Sequence, residues 1–147
     1  MIEISINTPA LLFPAITLLM LAYTNRFLAV AGRVRKLHDE YMAGDARERN
    51  ILGQIKNLRS RLNLIRYMQA LSVISFLLCV LCMYFIYRDW MSVAHYIFAL
   101  SLIFLFVSIF LSLIEINKST RAIDLELSDI EELSKNNIFT DIFKPGE

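Results

Sequence analysis

Glycine and proline are scarce in this chain, four and three in 147 residues, and no Ser/Gly-rich linker, low-complexity tract or internal repeat divides it. Few positions therefore interrupt a helix. Cysteine is nearly absent as well. Cys79 and Cys82 have the CxxC spacing of redox motifs and half zinc sites, but they lie inside an apolar run that offers neither a stabilised thiolate nor water. They read as small packing residues, and no structural disulfide is implied. A glycine-rich phosphate loop, an HExxH pair, a nucleophile elbow and a dinucleotide fingerprint are all missing. His38 and His95 are the only histidines, one on an expected solvated helix and one at an expected membrane surface, which excludes a shared metal site. Asp39-Glu40, Asp124 with Glu126, and Glu131-Glu132 read as solvated helix charges rather than acid/base pairs. No catalytic residue, metal or cofactor is expected.

What is abundant is apolar: 56% of the residues are hydrophobic and mean hydropathy is positive, which a soluble domain of this size rarely tolerates. From Tyr96 to Ile114 there are fourteen Leu, Ile, Phe or Val residues and no charge. At about −0.3 to −0.6 kcal/mol each near a bilayer centre, they outweigh Ser101, Ser108 and Ser112. A second uncharged run, Tyr67 to Tyr87, is also long enough to cross a hydrocarbon core of about 30 Å. The first run is closed by Asn25 and Arg26 and contains two prolines. Thr8 is expected to cap its helix with Pro9 in the first turn, and Pro14 to bend it one turn later. Glu3 precedes this run and Asn25-Arg26 follows it, the reverse of what a cleaved signal peptide needs.

The sequence thus predicts an all-α membrane protein with three transmembrane helices, about 8–26, 67–87 and 94–114, in one membrane domain over 1–147. Ten Lys or Arg residues lie between Arg26 and Arg66, one between the second and third spans, and none before the first. The positive-inside rule then places the N-terminus outside and the long connection and C-terminus in the cytosol of a bacterial-type inner membrane. Tyr84, Tyr87, Trp90 and Tyr96 would form an outer aromatic belt, with Tyr23 and Tyr67 marking the inner one.

Below the membrane the helices are expected to continue as a cytosolic helical bundle. Residues 27–66 read as a helical hairpin turning at Gly44-Asp45, with Val30, Val34, Leu37 and Tyr41 facing Ile51, Ile55, Leu58, Leu62 and Ile65. The third helix extends over 115–147 with Ile116, Thr120, Ile123, Leu127 and Ile130 at similar spacing. Residues 26–66 hold ten basic and four acidic groups, net +6, whereas 115–147 hold four basic and eight acidic, net −4. The acidic helix is therefore expected beside the basic hairpin, with apolar burial carrying the stability and charge selecting the partner. Ile138, Phe139, Ile142 and Phe143 would form one face of a short terminal helix that caps the bundle or docks on a neighbour.

Three groups of polar residues are candidate sites. Arg26, Arg66 and Glu115 fall about nine to eleven residues from their span centres and form a charged layer at one depth, either an interfacial belt with Glu115 paired to an arginine or a functional site. Ser101, Ser108, Ser112 and Glu115 share one face of the third helix, which is either a close-packing face or the lining of a polar path. Arg33, Arg35 and Lys36 suit anionic lipid headgroups, each attracting by about 1 kcal/mol. Nucleic acid would require a larger basic face with exposed aromatics.

The stretches TPALLFPAITLLMLAYTNRFLA, IKNLRSRLNLIRYMQALSVISFLLCVLCMYF and SLIEINKSTRAIDLELSDIE resemble a family of small bacterial membrane proteins catalogued as domain of unknown function 2721, from about Thr8 to Glu131. TNRFLA and IRYMQ are the most distinctive segments. The resemblance implies a three-span bacterial inner-membrane protein and supplies no substrate, cofactor or catalytic residue. Two functions remain: a homo-oligomeric ion-conducting channel with the third helix lining the axis, or a non-catalytic scaffold or accessory subunit that binds a partner through its cytosolic helices.

Overall fold

The computed structural model describes residues 4–44 and 48–142, with side chains for all of these except 48–51 and 136–142. Among the described residues there are three α-helices and no strand: α1 is Asn7–Met42, α2 Glu48–Tyr87 and α3 Met91–Ile142. At 1.5 Å per residue they measure about 54, 60 and 78 Å, so each exceeds the apolar thickness of a bilayer. All three are long and apolar enough to cross a membrane.

The distribution of side chains fits that solvent. Large apolar residues such as Leu18, Leu77, Ile103, Phe106 and Phe110 are exposed, while Ser72, Ser75, Cys79, Cys82, Ala94, Ser101 and Ser108 are fully buried. Water would reverse this preference. In hydrocarbon, outward-facing leucines and phenylalanines cost nothing, and small inward-facing residues let helices approach closely.

The chain divides into two compact units, Met1–Ser112 and Leu113–Glu147. In the first, the buried positions recur at intervals of seven. They are Pro9, Ile16, Tyr23 and Val30 on α1, and Leu58, Ile65, Ser72, Cys79 and Ile86 on α2, joined there by Met68, Ser75 and Cys82. On α3, Ala94, Ser101 and Ser108 continue the interval, which is the period at which helices packed at a shallow angle repeat their contacts. Three apolar clusters follow from it. Ile4, Cys82, Ile86 and Ala94 form one, Ile16, Cys79 and Leu105 another, and Val30, Leu58 and Ile65 the third, with Val34, Leu37 and Leu62 against it. The third cluster contains most of the hairpin seam expected from the sequence, although the side chain of Ile51 lies outside the described residues.

Several local expectations need correction. Thr8 does not cap α1: the helix begins at Asn7 with Ile6 at the N-cap position and no side-chain cap, and the Thr8 amide donates to the Ser5 carbonyl at 3.0 Å. Pro9 remains in the first turn, where its missing N–H costs nothing. Pro14 sits inside α1 without ending it. Tyr23 marks no interfacial belt, being 2% exposed, because the seven-residue interval turns it inward with Ile16 and Val30. Tyr67, Tyr84, Tyr87, Trp90 and Tyr96 are exposed. Ile138 and Phe139 continue α3 rather than starting a helix of their own, and Phe143 lies outside the described residues.

The two connections stop the helices by backbone geometry. Gly44 adopts φ 77° after α1, and its N–H donates to the Tyr41 carbonyl at 3.3 Å; Asp45 lies outside the described residues. After α2, Asp89 adopts φ 62°, its N–H donates to Ile86 and the Trp90 N–H donates to Phe85, both at 3.0 Å. These are the paired bonds of a Schellman ending, and the Phe85 and Trp90 rings stack at 5.9 Å as its apolar contact. Aspartate tolerates the left-handed region less well than glycine does. Asp89→Gly is therefore expected to raise unfolding free energy by about 0.5–1 kcal/mol, read as a higher midpoint in an SDS unfolding titration. A lower midpoint would mean that the aspartate side chain itself holds the turn.

In the second unit, α3 is described through Ile142. Ile116, Ile123, Leu127 and Ile130 are 40%, 49%, 56% and 61% exposed, and Leu125 and Leu133 are also exposed. Ile116, Ile123, Leu127 and Ile130 thus form an apolar stripe along this part of the helix.

Candidate functional site

The first unit holds a ladder of small polar residues between α2 and α3. At one rung, the Ser75 hydroxyl donates to the Ser101 carbonyl at 2.9 Å and the Ser101 hydroxyl donates to the Ser75 carbonyl at 3.1 Å. Each serine thereby gives its single proton to the opposite helix. The two hydroxyl oxygens lie 3.1 Å apart, and Cys79 Sγ lies 3.0 Å from Ser101 Oγ, where its thiol can donate. Nearer the α2–α3 turn, the Cys82 thiol donates to the Ala94 carbonyl at 3.4 Å.

The rung at Ser108 joins all three helices. Ser108 Oγ donates to the Met68 carbonyl at 2.8 Å, which leaves its lone pairs for the Ser72 hydroxyl at 2.8 Å, and the Tyr23 hydroxyl stands 3.4 Å away. Next to it, the Thr24 hydroxyl donates back to the Met20 carbonyl at 2.9 Å and accepts from the Gln69 amide at 3.0 Å. These contacts require close backbones, and serine, alanine and cysteine at the seven-residue positions permit them.

The serine face thus separates into residues with different surroundings. Ser101 and Ser108 are fully buried against α2, and Ser112 is half-buried. Glu115, one further interval along α3, is 2% exposed. Of the two arginines expected at its depth, Arg26 is half-buried and Arg66 exposed. Arg33, Arg35 and Lys36 are all exposed on α1. His38 is exposed with Nδ1 4.0 Å from Asp39, and His95 donates from Nδ1 to the Met91 carbonyl at 2.7 Å. Among the described residues no three His, Cys, Asp or Glu side chains gather around a common point.

Chemically, the ladder is saturated. Each serine hydroxyl has its proton committed to a carbonyl or another hydroxyl, and among the described residues no carboxylate or imidazole shares a hydrogen bond with it to take that proton during a reaction. It can fasten helices, and it offers no activated nucleophile.

A sequence profile of one protein family matches residues 6–125. The chain belongs to that family, DUF2721, whose members are proteins of unknown function. No curated protein and no solved structure is detectably similar to it. The DUF2721 match includes every rung of the ladder, the whole α1–α2 hairpin and α3 as far as Leu125. Within it, sequence reasoning singled out Ser101 and Ser108 but overlooked their partners Ser72, Ser75, Met68 and Tyr23. The signal was present in the seven-residue interval shared by Ser72 with Cys79 and Ser75 with Cys82.

Proposed function

We propose that this protein is a non-catalytic scaffold or accessory subunit of a bacterial inner membrane, with its N-terminus outside and its charged helical ends in the cytosol. The observation that carries this reading is the contrast between the two parts of α3. Ser101 and Ser108 spend their hydrogen bonds inside the subunit, whereas Ile116, Ile123, Leu127 and Ile130 recur at helical spacing among charged residues. A helix that lined a conducting axis would direct its hydroxyls toward that axis. A helix that binds another protein presents an amphipathic stripe.

Orientation follows from the ten basic residues between Arg26 and Arg66. In that arrangement Arg33, Arg35 and Lys36 meet anionic headgroups just below the inner surface, and the hairpin and α3 carry the charges that choose a partner.

Purified protein in liposomes should give no conductance above empty vesicles, and detergent extracts of native membranes should yield a partner at fixed ratio, or copies of the chain itself. Single cysteines at Ser5, Ser92 and Ser134, all exposed, test the orientation once Cys79 and Cys82 are replaced. An impermeant thiol reagent on intact spheroplasts should label Ser5→Cys and Ser92→Cys and spare Ser134→Cys. A selective current, or the inverse labelling, would overturn the corresponding part of the reading.

A further inference from the structure

A cavity of about 490 Å³ opens on α3 just past the third expected span, within the second compact unit. That size falls within the range of about 300–1,000 Å³ in which proteins hold small molecules. Ile114, Asn117, Lys118, Thr120 and Arg121 line it. Ile114, Asn117, Lys118 and Arg121 are set at steps of three, one and three, so they share one face of the helix. Ile114 is half-buried and the other four are exposed. Among the described residues no carboxylate pairs with Lys118 or Arg121. The Thr120 hydroxyl donates to the Ile116 carbonyl at 3.0 Å, which spends its proton and leaves its lone pairs to accept.

We propose that this cavity binds the headgroup of an anionic phospholipid in the inner leaflet. Lys118 and Arg121 neutralise the phosphate, the Asn117 amide donates to it, and Thr120 accepts from a headgroup hydroxyl such as those of glycerol. Ile114 stays against the acyl chain. Depth selects this occupant. Ile114 ends the apolar run, so Lys118 and Arg121 leave the helix about 6 and 10 Å beyond the hydrocarbon at 1.5 Å per residue. The headgroup layer is about 5–8 Å thick on each side, and both side chains are long enough to reach back into it. The order of charge points the same way. Residues 116–123 hold Lys118 and Arg121 and no acid, whereas 124–132 hold Asp124, Glu126, Asp129, Glu131 and Glu132 and no base. Asp124 stands about 15 Å past the hydrocarbon edge, about a Debye length below the headgroup layer, so the lipid phosphates attract the two bases while salt screens the acids. An acidic protein segment would demand no such order along the helix.

The inference rests on the membrane reading above, and one experiment reads the two separately. Trp90→Phe removes the single native tryptophan, and Ile114→Trp places a reporter in the cavity. The full chain is reconstituted in phosphatidylcholine vesicles containing a minor share of either phosphatidylglycerol or phosphatidylcholine with brominated acyl chains, which quench tryptophan on contact. Quenching by either lipid reports depth, and the ratio between the two reports headgroup preference. Brominated phosphatidylglycerol is expected to quench several times more strongly. Lys118→Gln with Arg121→Gln should remove that preference, each cation near an anionic surface contributing about fivefold in affinity. Lys135→Gln, a loss of charge at a distant exposed position of α3, should leave it unchanged. Inorganic phosphate should displace the lipid no better than chloride at equal ionic strength. Equal quenching by both lipids, or an equal loss with Lys135→Gln, would overturn the site and leave the membrane reading standing. Displacement by phosphate would overturn the lipid as occupant and assign the cavity to a soluble anion. Quenching by neither lipid would remove the site together with the expected end of the third span. A second measurement needs no reporter. The unsubstituted chain, purified in mild detergent, should retain more acidic phospholipid than the Lys118→Gln, Arg121→Gln variant, and equal amounts would overturn the proposal.

Discussion

Ser108→Leu is expected to abolish most of the folded protein recovered in mild detergent, whereas Ser108→Ala should retain nearly all of it. Ser108 is fully buried, with its hydroxyl 2.8 Å from both the Ser72 oxygen and the Met68 carbonyl. Removing the hydroxyl forfeits side-chain hydrogen bonds that average about 0.6 kcal/mol each inside membranes. The Met68 carbonyl keeps its helical partner, so alanine leaves a small defect. Leucine adds bulk where the α2 backbone already touches the side chain, and overpacking costs about 1–3 kcal/mol even in a core that can relax. Here relaxation means separating α2 from α3, which also stretches the reciprocal Ser75 and Ser101 bonds one interval away. An SDS unfolding titration of both variants measures the difference. If Ser108→Leu unfolds at the wild-type midpoint, the hydroxyl does not face α2, and the channel reading regains its ground; the same variant should then reduce current in liposomes.

Glu115→Arg should be as damaging, for an electrostatic reason. Glu115 is 2% exposed at the end of the third expected span, and a carboxylate withdrawn from water needs an opposite charge or several hydrogen bonds. Replacing it with a cation leaves an uncompensated charge withdrawn from water, which typically costs about 3–5 kcal/mol. Glu115→Gln, which keeps the shape, should fall between this variant and the wild type. Arg26 and Arg66 are the cations that the sequence sets at the same calculated depth. Arg26 is the half-buried one, so Arg26→Glu is expected to rescue Glu115→Arg further than Arg66→Glu does. Folded yields of the two single and two double variants complete the cycle. Absence of rescue by both would assign the stability of Glu115 to hydrogen bonds within its own helix and would remove the charged layer as a site.

The seven-residue interval shows how far a sequence can be read. The apolar runs made three spans legible because the gain per Leu, Ile or Phe is summed over about twenty residues and is insensitive to any one of them. The Gly44 turn and most of the hairpin seam were legible for a related reason, since a left-handed backbone and a three-and-four apolar spacing are local features. Tyr23 was misplaced because an aromatic near a span end suits an interface equally well, and only the presence of Ser108 3.4 Å away distinguishes the two. Thr8 was misplaced because Ser5 and Ile6 offer the first carbonyls one turn earlier.

The polar residues of α3 mark the boundary most clearly. Ser101, Ser108 and Ser112 share a helical face in any structure, so their alignment is a property of the chain alone. What lies opposite that face depends on which neighbouring helix turns small residues toward it, and a single helix carries no information about its neighbour's rotation. Tertiary structure brought Ser72 and Ser75 of α2 to within 2.8 and 3.1 Å of Ser108 and Ser101. The sequence by itself determined that this chain has three long helices apolar enough to cross a membrane, because transfer into hydrocarbon depends on composition. Only the packed structure decided that the serines fasten two helices of one subunit, because a hydrogen bond depends on position and vanishes within about an ångström of misplacement.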